Sequence, residues 1–194
     1  MRRLVLLVTY CLTLSACMTM RHAPTPLAPP AAWDQRVTFL RQLTSWKLDG
    51  RAAVAVGSQG WQASLNWRED GALAEVHLAG PFGVGALTLK RTVEGLSLNG
   101  APPGDAVAQV QERLGFELPL DNLRYWLLGV PDPGSPADLT RDDHDRAQQL
   151  TQAGWRVVYD RYMPVAGDLL PALLVLSREG VRVRIVVDHW EGLR

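Results

Sequence analysis

The chain has 194 residues, 47% of them hydrophobic and 21% charged, with 20 basic side chains against 20 acidic ones, the profile of one globular domain and not of a disordered or fibrous chain. A chain of this length buries roughly 70% of its unfolded surface, so neither a disulfide framework nor a metal is required for stability. The balanced charge, with Arg scattered singly and no block of like charges, excludes a nucleic-acid binder that works by phosphate capture, and no internal repeat is present.

Met1-Arg2-Arg3, an apolar run from Leu4 to Leu14 and the small pair Ser15-Ala16 read as an export signal. Leu4 to Ala16 is 13 residues, short of the roughly 20 needed to cross a bilayer as a helix. The Arg pair sits on the initiator Met without the polar context of a twin-arginine signal. Leu14-Ser15-Ala16-Cys17 resembles the lipobox of bacterial lipoproteins, which implies that Cys17 becomes the acylated N-terminus of the mature chain. Cys11 would leave with the signal, so Cys17 would be the one remaining thiol and no intramolecular disulfide is possible. Loss of Arg2 and Arg3 leaves 18 basic against 20 acidic groups, a formal charge of −2. Met18, and not Asp, follows the Cys, which under the same resemblance implies the outer membrane. Pro24, Pro26, Pro29 and Pro30 make residues 17–32 a polyproline-like leash, reaching roughly 40 Å at ~3.1 Å per residue. The expected organisation is a signal over 1–16, a tether over 17–32 and one domain over 33–194.

Trp33, Val37, Leu40 and Leu43 fall at helical spacing, with Asp34 placed to cap the start. Trp46 to Val56 and Gln59 to Glu69 read as a strand pair around a Gly57–Gly60 turn. The second is the cleanest signal in the chain: Trp61, Ala63, Leu65 and Trp67 alternate with Gln62, Ser64, Asn66 and Arg68. Leu73 to Gly80, with Val76 and Leu78 inward, and Gly85 to Lys90, with Leu87 and Leu89 inward, are half-buried strands, and Leu96 and Leu98 mark a short fifth. Asp105 is the expected cap of a helix through Leu114, and a second helix spans about Asp121 to Leu128. Residues 129–139, crowded with Pro and Gly, read as loop. Trp155 to Tyr162, Leu173 to Ser177 and Val181 to Trp190 complete the strands; Arg146 to Gln152 has helix-forming composition and is left open between strand and helix. The expected class is α+β, an antiparallel sheet with few helices.

Three helices cannot cover so many strands tightly, so either the sheet curls on itself or a cavity remains. Seven Trp stand beside three Phe, and Trp46, Trp61, Trp67, Trp126 and Trp155 fall on apolar faces. They are either ordinary core aromatics or a cavity wall for an apolar ligand. The chain carries no nucleophile elbow, Walker sequence or dinucleotide fingerprint, and His22, His77, His144 and His189 have no metal-ligand spacing. Asp142-Asp143-His144-Asp145 reads as a solvated turn. An enzyme, a metal or a cofactor therefore has no support. The loop Gly80-Pro81-Phe82-Gly83-Val84-Gly85 carries a large apolar residue where a polar one is expected, so Phe82 either folds back over the sheet end or contacts lipid or a partner.

The Trp46–Gly50 strand, Leu65-Asn66-Trp67, Gly80-Pro81-Phe82-Gly83, Leu123-Arg124-Tyr125-Trp126-Leu127-Leu128-Gly129-Val130-Pro131 and Trp155-Arg156-Val157-Val158-Tyr159 follow one another as in the LolB family of outer-membrane lipoprotein receptors, which the chain resembles over nearly the whole mature domain. The resemblance implies an unclosed antiparallel β-barrel of about 11 strands, LolA/LolB-like, with a helical lid over a hydrophobic cavity, and makes Arg146 to Gln152 a strand. It implies a nucleotide-independent monomeric receptor, facing the periplasm from the outer membrane by its lipid anchor. Such a receptor takes lipoproteins by their acyl chains from a LolA-type carrier and inserts them, with no cofactor and no nucleic acid. Pro81, Phe82 and Gly83 would form its membrane-insertion loop, where the family has Leu in place of Phe82. Trp46, Trp61, Leu65, Trp67, Leu78, Leu87, Leu89, Trp126, Val157 and Tyr159 are the acyl-cavity candidates.

Overall fold

The computed structural model describes residues 33–83, 85–101 and 106–194; Cys17, the leash and Asp105 lie outside them. After helix α1 (Trp33–Gln42) come strands β1 (Ser45–Val56), β2 (Gln59–Asp70), β3 (Leu73–Ala79), β4 (Leu87–Thr92) and β5 (Gly95–Leu98). Helices α2 (Ala106–Leu114) and α3 (Leu120–Leu127) follow, then β6 (Ala137–Arg141), β7 (Ala147–Gln152), β8 (Trp155–Val165), β9 (Asp168–Arg178) and β10 (Val181–Glu191). The strands form one antiparallel sheet in the order β5-β4-β3-β2-β1-β10-β9-β8-β7-β6. β5 and β6 stay unpaired edges, so the barrel is open, as the resemblance implied, with ten described strands where about 11 were expected.

β2 buries alternate residues from Ala63 to Glu69 and exposes those between, the period-two geometry of a strand with one wet face. β1 and β10 do the same around a bulge at Asp49/Gly50. Gly50 is obligatory there, since a Cβ would lie 2.2 Å from the Val186 carbonyl oxygen.

One segment departs from the sequence reading, and one that the residues left open resolves as the resemblance implied. Ala137–Arg141, whose first three residues were expected as loop, is an edge strand on β7 with only Leu139 half-buried; an edge strand needs no alternating apolar face, so Pro and Gly around it dominate the signal. Arg146 to Gln152 resolves as strand β7 from Ala147 onward. Gln152 is buried, accepts the Trp126 indole N–H at 2.8 Å and the Asp132 N–H at 2.9 Å, and donates to the Asp132 and Ser135 carbonyls. Its polarity, which reads as helical in composition, ties α3 and the following loop to the sheet.

The helix boundaries shift slightly. α1 starts at Trp33, whose N–H is met by Asp145 Oδ2 at 3.0 Å, so the far turn supplies the acceptor expected of Asp34. α3 begins after Pro119 and closes on Gly129 at φ 79°, where the N–H groups of Gly129 and Val130 return to the Trp126 and Tyr125 carbonyls. The 142–145 run is a turn in which Asp142 and Asp145 are engaged. Asp142 accepts from Arg146 at 2.6 and 2.8 Å and from two backbone N–H groups. Burial pushes the Asp142 carboxyl up, but these bonds outweigh it and hold the group below the usual carboxylate range.

At the end of the barrel reached by Ser45, Asp70 and Glu191 the interior is closed. The Trp46 ring packs at a tilt 5.8 Å from Trp67 and edge-on 5.4 Å from Trp190, ring centre to ring centre. Glu69, fully buried beside them, accepts the Trp67 indole N–H at 2.9 Å and pairs with Arg91 at 2.5 Å. Arg124 Nε lies 2.8 Å from the same oxygen as Arg91, a charge contact not aligned as a hydrogen bond, and its Nη2 donates to the Leu43 carbonyl. Arg36 donates to Asp168 and to the Leu169 carbonyl, pinning α1 to the β8–β9 turn.

Candidate functional site

The opposite end, where β1 meets β2 at Val56 and Gln59, is built differently. β3 pairs with β2 only from Ser64↔Ala79 to Asp70↔Leu73. The first half of β2, Gln59 to Ala63, therefore has no partner on that side, because the chain turns away at Gly80-Pro81. Under this gap lies an apolar inlet of about 530 Å³ lined by Trp61, Ala63, Leu78, Leu87 and Leu114, with Gln62, Gly80, Pro81, Gly85 and Arg113 at its rim. That volume falls within the range of small-molecule sites.

Trp61, Leu78 and Leu114 are shared with a deeper cavity of about 40 Å³, walled only by apolar side chains that include Leu65, Trp67, Val76, Phe116 and Ile185. Space of that size holds about one water molecule. α2 roofs it through Leu114, and Phe116 closes the side by an edge contact on Trp155 at 5.9 Å. Gly115, at φ 80° between α2 and Phe116, is the turn on which this roof hangs.

Beside the inlet, Pro81–Gly83 form a single 3-10 turn in which Phe82 sits at φ 60°, ψ 22° with its ring wholly exposed. A left-handed Phe costs about 1–2 kcal/mol, and full exposure of the ring recovers nothing by burial in this chain. Of the two sequence alternatives, the structure selects a projecting Phe82.

The ten expected cavity residues divide cleanly. Trp61, Leu65, Trp67, Leu78 and Leu87 line the inlet or the deeper cavity. Trp46, Leu89, Trp126, Val157 and Tyr159 line neither and are packed elsewhere in the core. Tyr159 donates its hydroxyl proton to the Trp126 carbonyl at 3.0 Å, and burial pushes its phenol well above the ordinary range. Ala63, Leu114, Phe116, Val183 and Ile185 were not singled out. Ala63, Leu114, Val183 and Ile185 fall on the apolar sides of their elements and Phe116 lies past the expected helix with no pattern to place it, but nothing in a sequence separates an inward residue that meets space from one that meets a neighbour. Among the described residues no cluster of three or more His, Cys, Asp or Glu could hold a metal.

An open antiparallel sheet with the same architecture is found in a LolA superfamily protein from Nitrosomonas europaea, at TM-score 0.53 and 9% identity over 85% of this chain and 94% of that one. In sequence the chain is 35% identical to the outer-membrane lipoprotein LolB of Alkalilimnicola ehrlichii and 32% to that of Nitrosococcus oceani. These alignments cover 97% of this chain and 96% and 97% of those proteins. The LolB of Pseudomonas aeruginosa is 30% identical, with 97% and 96% covered. The profile of the family described as outer membrane lipoprotein LolB matches residues 44–190, from the strand that begins the barrel to the tryptophan that ends it, and this chain belongs to that family.

Proposed function

We propose that this chain is a receptor anchored in the outer membrane through an acylated Cys17, that it accepts lipoproteins from a LolA-type periplasmic carrier, and that it inserts them into the membrane without nucleotide. The observation that carries the reading is an apolar inlet, continuous in its walls with the core, directly beside a wholly exposed Phe82. An acyl chain of about 16 carbons moving through water exposes roughly 12 kcal/mol of apolar surface at ~0.8 kcal/mol per methylene. Trp61, Leu78, Leu87 and Leu114 offer it an apolar wall. Chains enter at the inlet, and the roof of α2 and Phe116 swings about Gly115 to enlarge the deeper cavity. Direction needs only that affinity rise from carrier to receptor to membrane.

The described chain starts at the closed end, where Trp33 is held by Asp145, whereas Phe82 is at the open end. The 12 residues of β1 span about 40 Å, which the leash over 17–32 can match. Its length therefore lets Cys17 and Phe82 reach one bilayer together. The receptor acts as a monomer facing the periplasm, with no catalytic role.

The test is transfer. The chain from Cys17 onward, with Cys17→Ser, is mixed with a cargo-loaded carrier of the LolA type, and the two are separated by affinity tag. Cargo on this chain without nucleotide is the expected result; cargo retained by a carrier that delivers to a known receptor refutes the proposal.

A further inference from the structure

On the outer face of the sheet, at the foot of the Phe82 turn, lies a second hollow of about 630 Å³. Gly80 and Pro81 wall one side, the small residues Ala53 and Ser64 form its floor, and Arg51 and Arg184 flank it. The register explains the space. Ser64 faces Arg51, and Gln62 faces Ala53, which faces Arg184; short side chains thus lie between two long cationic ones. Arg51 is held by Asp188 through two bonds of 2.8 and 3.0 Å, which fixes its guanidinium. Arg184 has no ion pair among the described residues, and neither do Arg182 and Arg156, which face outward toward the same open end. The acids of this face are Asp188, already engaged, Asp49, which accepts from Asn66, Asp160 on β8, Glu179 in the β9–β10 turn and Asp138 on β6, two strands beyond Arg156, with Glu75, Asp70 and Glu191 nearer the closed end; none of them lines the hollow.

We infer that this hollow is a headgroup site for an anionic phospholipid of the target membrane. The inference rests on the reading of Phe82 as the residue that meets the bilayer: an apolar ring that enters the acyl region brings the residues at its foot to the depth of the phosphates. The charge of the hollow complements a phosphodiester. It does not complement the acylated glyceryl end of a lipoprotein, which is uncharged, so the cargo belongs in the apolar inlet on the inner side of the gap. Gln62, Ala63, Gly80 and Pro81 border both spaces. The wall that separates cargo chains from membrane headgroups is therefore one residue layer thick, and binding at the outer side sets the open end over the bilayer in one orientation.

The experiment is flotation of the Cys17→Ser chain, from residue 17 onward, with phosphatidylethanolamine–phosphatidylcholine vesicles, with or without phosphatidylglycerol, at low and high salt. Arg184→Gln is compared with Arg68→Gln, which makes the same charge change on the outer face near the closed end. Circular dichroism checks folding of each. Tighter binding to phosphatidylglycerol vesicles is expected, with Arg184→Gln losing about fivefold of it, Arg68→Gln little, and neither affecting the zwitterionic vesicles. Phe82→Glu separates the two readings, since it weakens binding to both vesicle types if the turn meets the bilayer. Full anionic preference in Arg184→Gln overturns the inference, as does an equal loss in Arg68→Gln. It is also overturned if glycerol phosphate binds the chain in an Arg184-dependent way with no vesicle preference, or if Arg184→Gln slows transfer from the carrier while vesicle binding is unchanged.

Discussion

The two ends of this barrel use the same residue types for opposite purposes. At the closed end Trp46, Trp67 and Trp190 bury one another and Glu69 draws in two arginines. At the open end Trp61 is only partly covered, β2 loses its neighbour, and Phe82 stands in solvent. The closed end holds its aromatics by mutual contact and so needs no ligand; the open end leaves apolar surface that is completed only by something else. An aromatic on an apolar face thus has no fixed role, and the contact it lacks is what marks a binding wall.

The largest expected difference between the ends is in stability. Trp46→Ala removes a fully buried ring packed on Trp67 and Trp190 and should cost about 3–5 kcal/mol in urea unfolding. Glu69→Ala leaves Arg91 and Arg124 without their shared carboxylate and should cost about 3 kcal/mol.

Glu69 also gives the closed end a pH signature. Burial raises its carboxyl above the ordinary glutamate range in spite of the Trp67 N–H and the two guanidiniums, so the folded state favours the proton. The stability this group contributes is complete below the ordinary glutamate pKa and is lost as pH rises through the folded value. Glu69→Gln cannot ionise and lacks that loss, so its stability should improve relative to the wild type as pH is raised from below the ordinary glutamate pKa through the folded value. A constant difference across that window would contradict the raised pKa.

Smaller effects on folding accompany larger effects on function at the open end. Ala63→Trp fills the inlet, should cost about 1–3 kcal/mol, and should abolish cargo uptake from the carrier. Phe82→Glu changes a wholly exposed side chain and should leave stability within about 0.5 kcal/mol. Uptake should persist while delivery to vesicles fails, since a charge at the tip opposes entry into the bilayer. Normal delivery by this variant would remove the membrane role of the turn.

Much of this contrast is legible in the sequence. The alternation from Trp61 to Trp67 gave β2 and its buried face, and the Pro81-Phe82-Gly83 turn announced itself by an apolar residue between glycines. What was not legible depends on partners distant in the chain. β6 is an edge strand with no apolar face, and Gln152 is polar because it serves α3. Trp46 and Trp61 occupy equivalent sites in the pattern, and only the early end of β3 at Ala79 leaves one of them beside open space. The Glu69 cluster could not be foreseen, because its members at 69, 91 and 124 meet only through pairing of β2, β3 and β4 beneath α3.

The central claim, that the open end and not the closed one takes acyl chains, is tested most directly by loading the Cys17→Ser chain with a brominated fatty acid and following tryptophan fluorescence. Bromine quenches a ring it touches. Strong quenching is expected in the wild type, with a large part of it lost in Trp61→Phe and the remainder coming from Trp67, which walls the deeper cavity, while the emission of Trp46, Trp126 and Trp190 is unaffected. Quenching that survives intact in Trp61→Phe would place the acyl chain elsewhere and contradict the account.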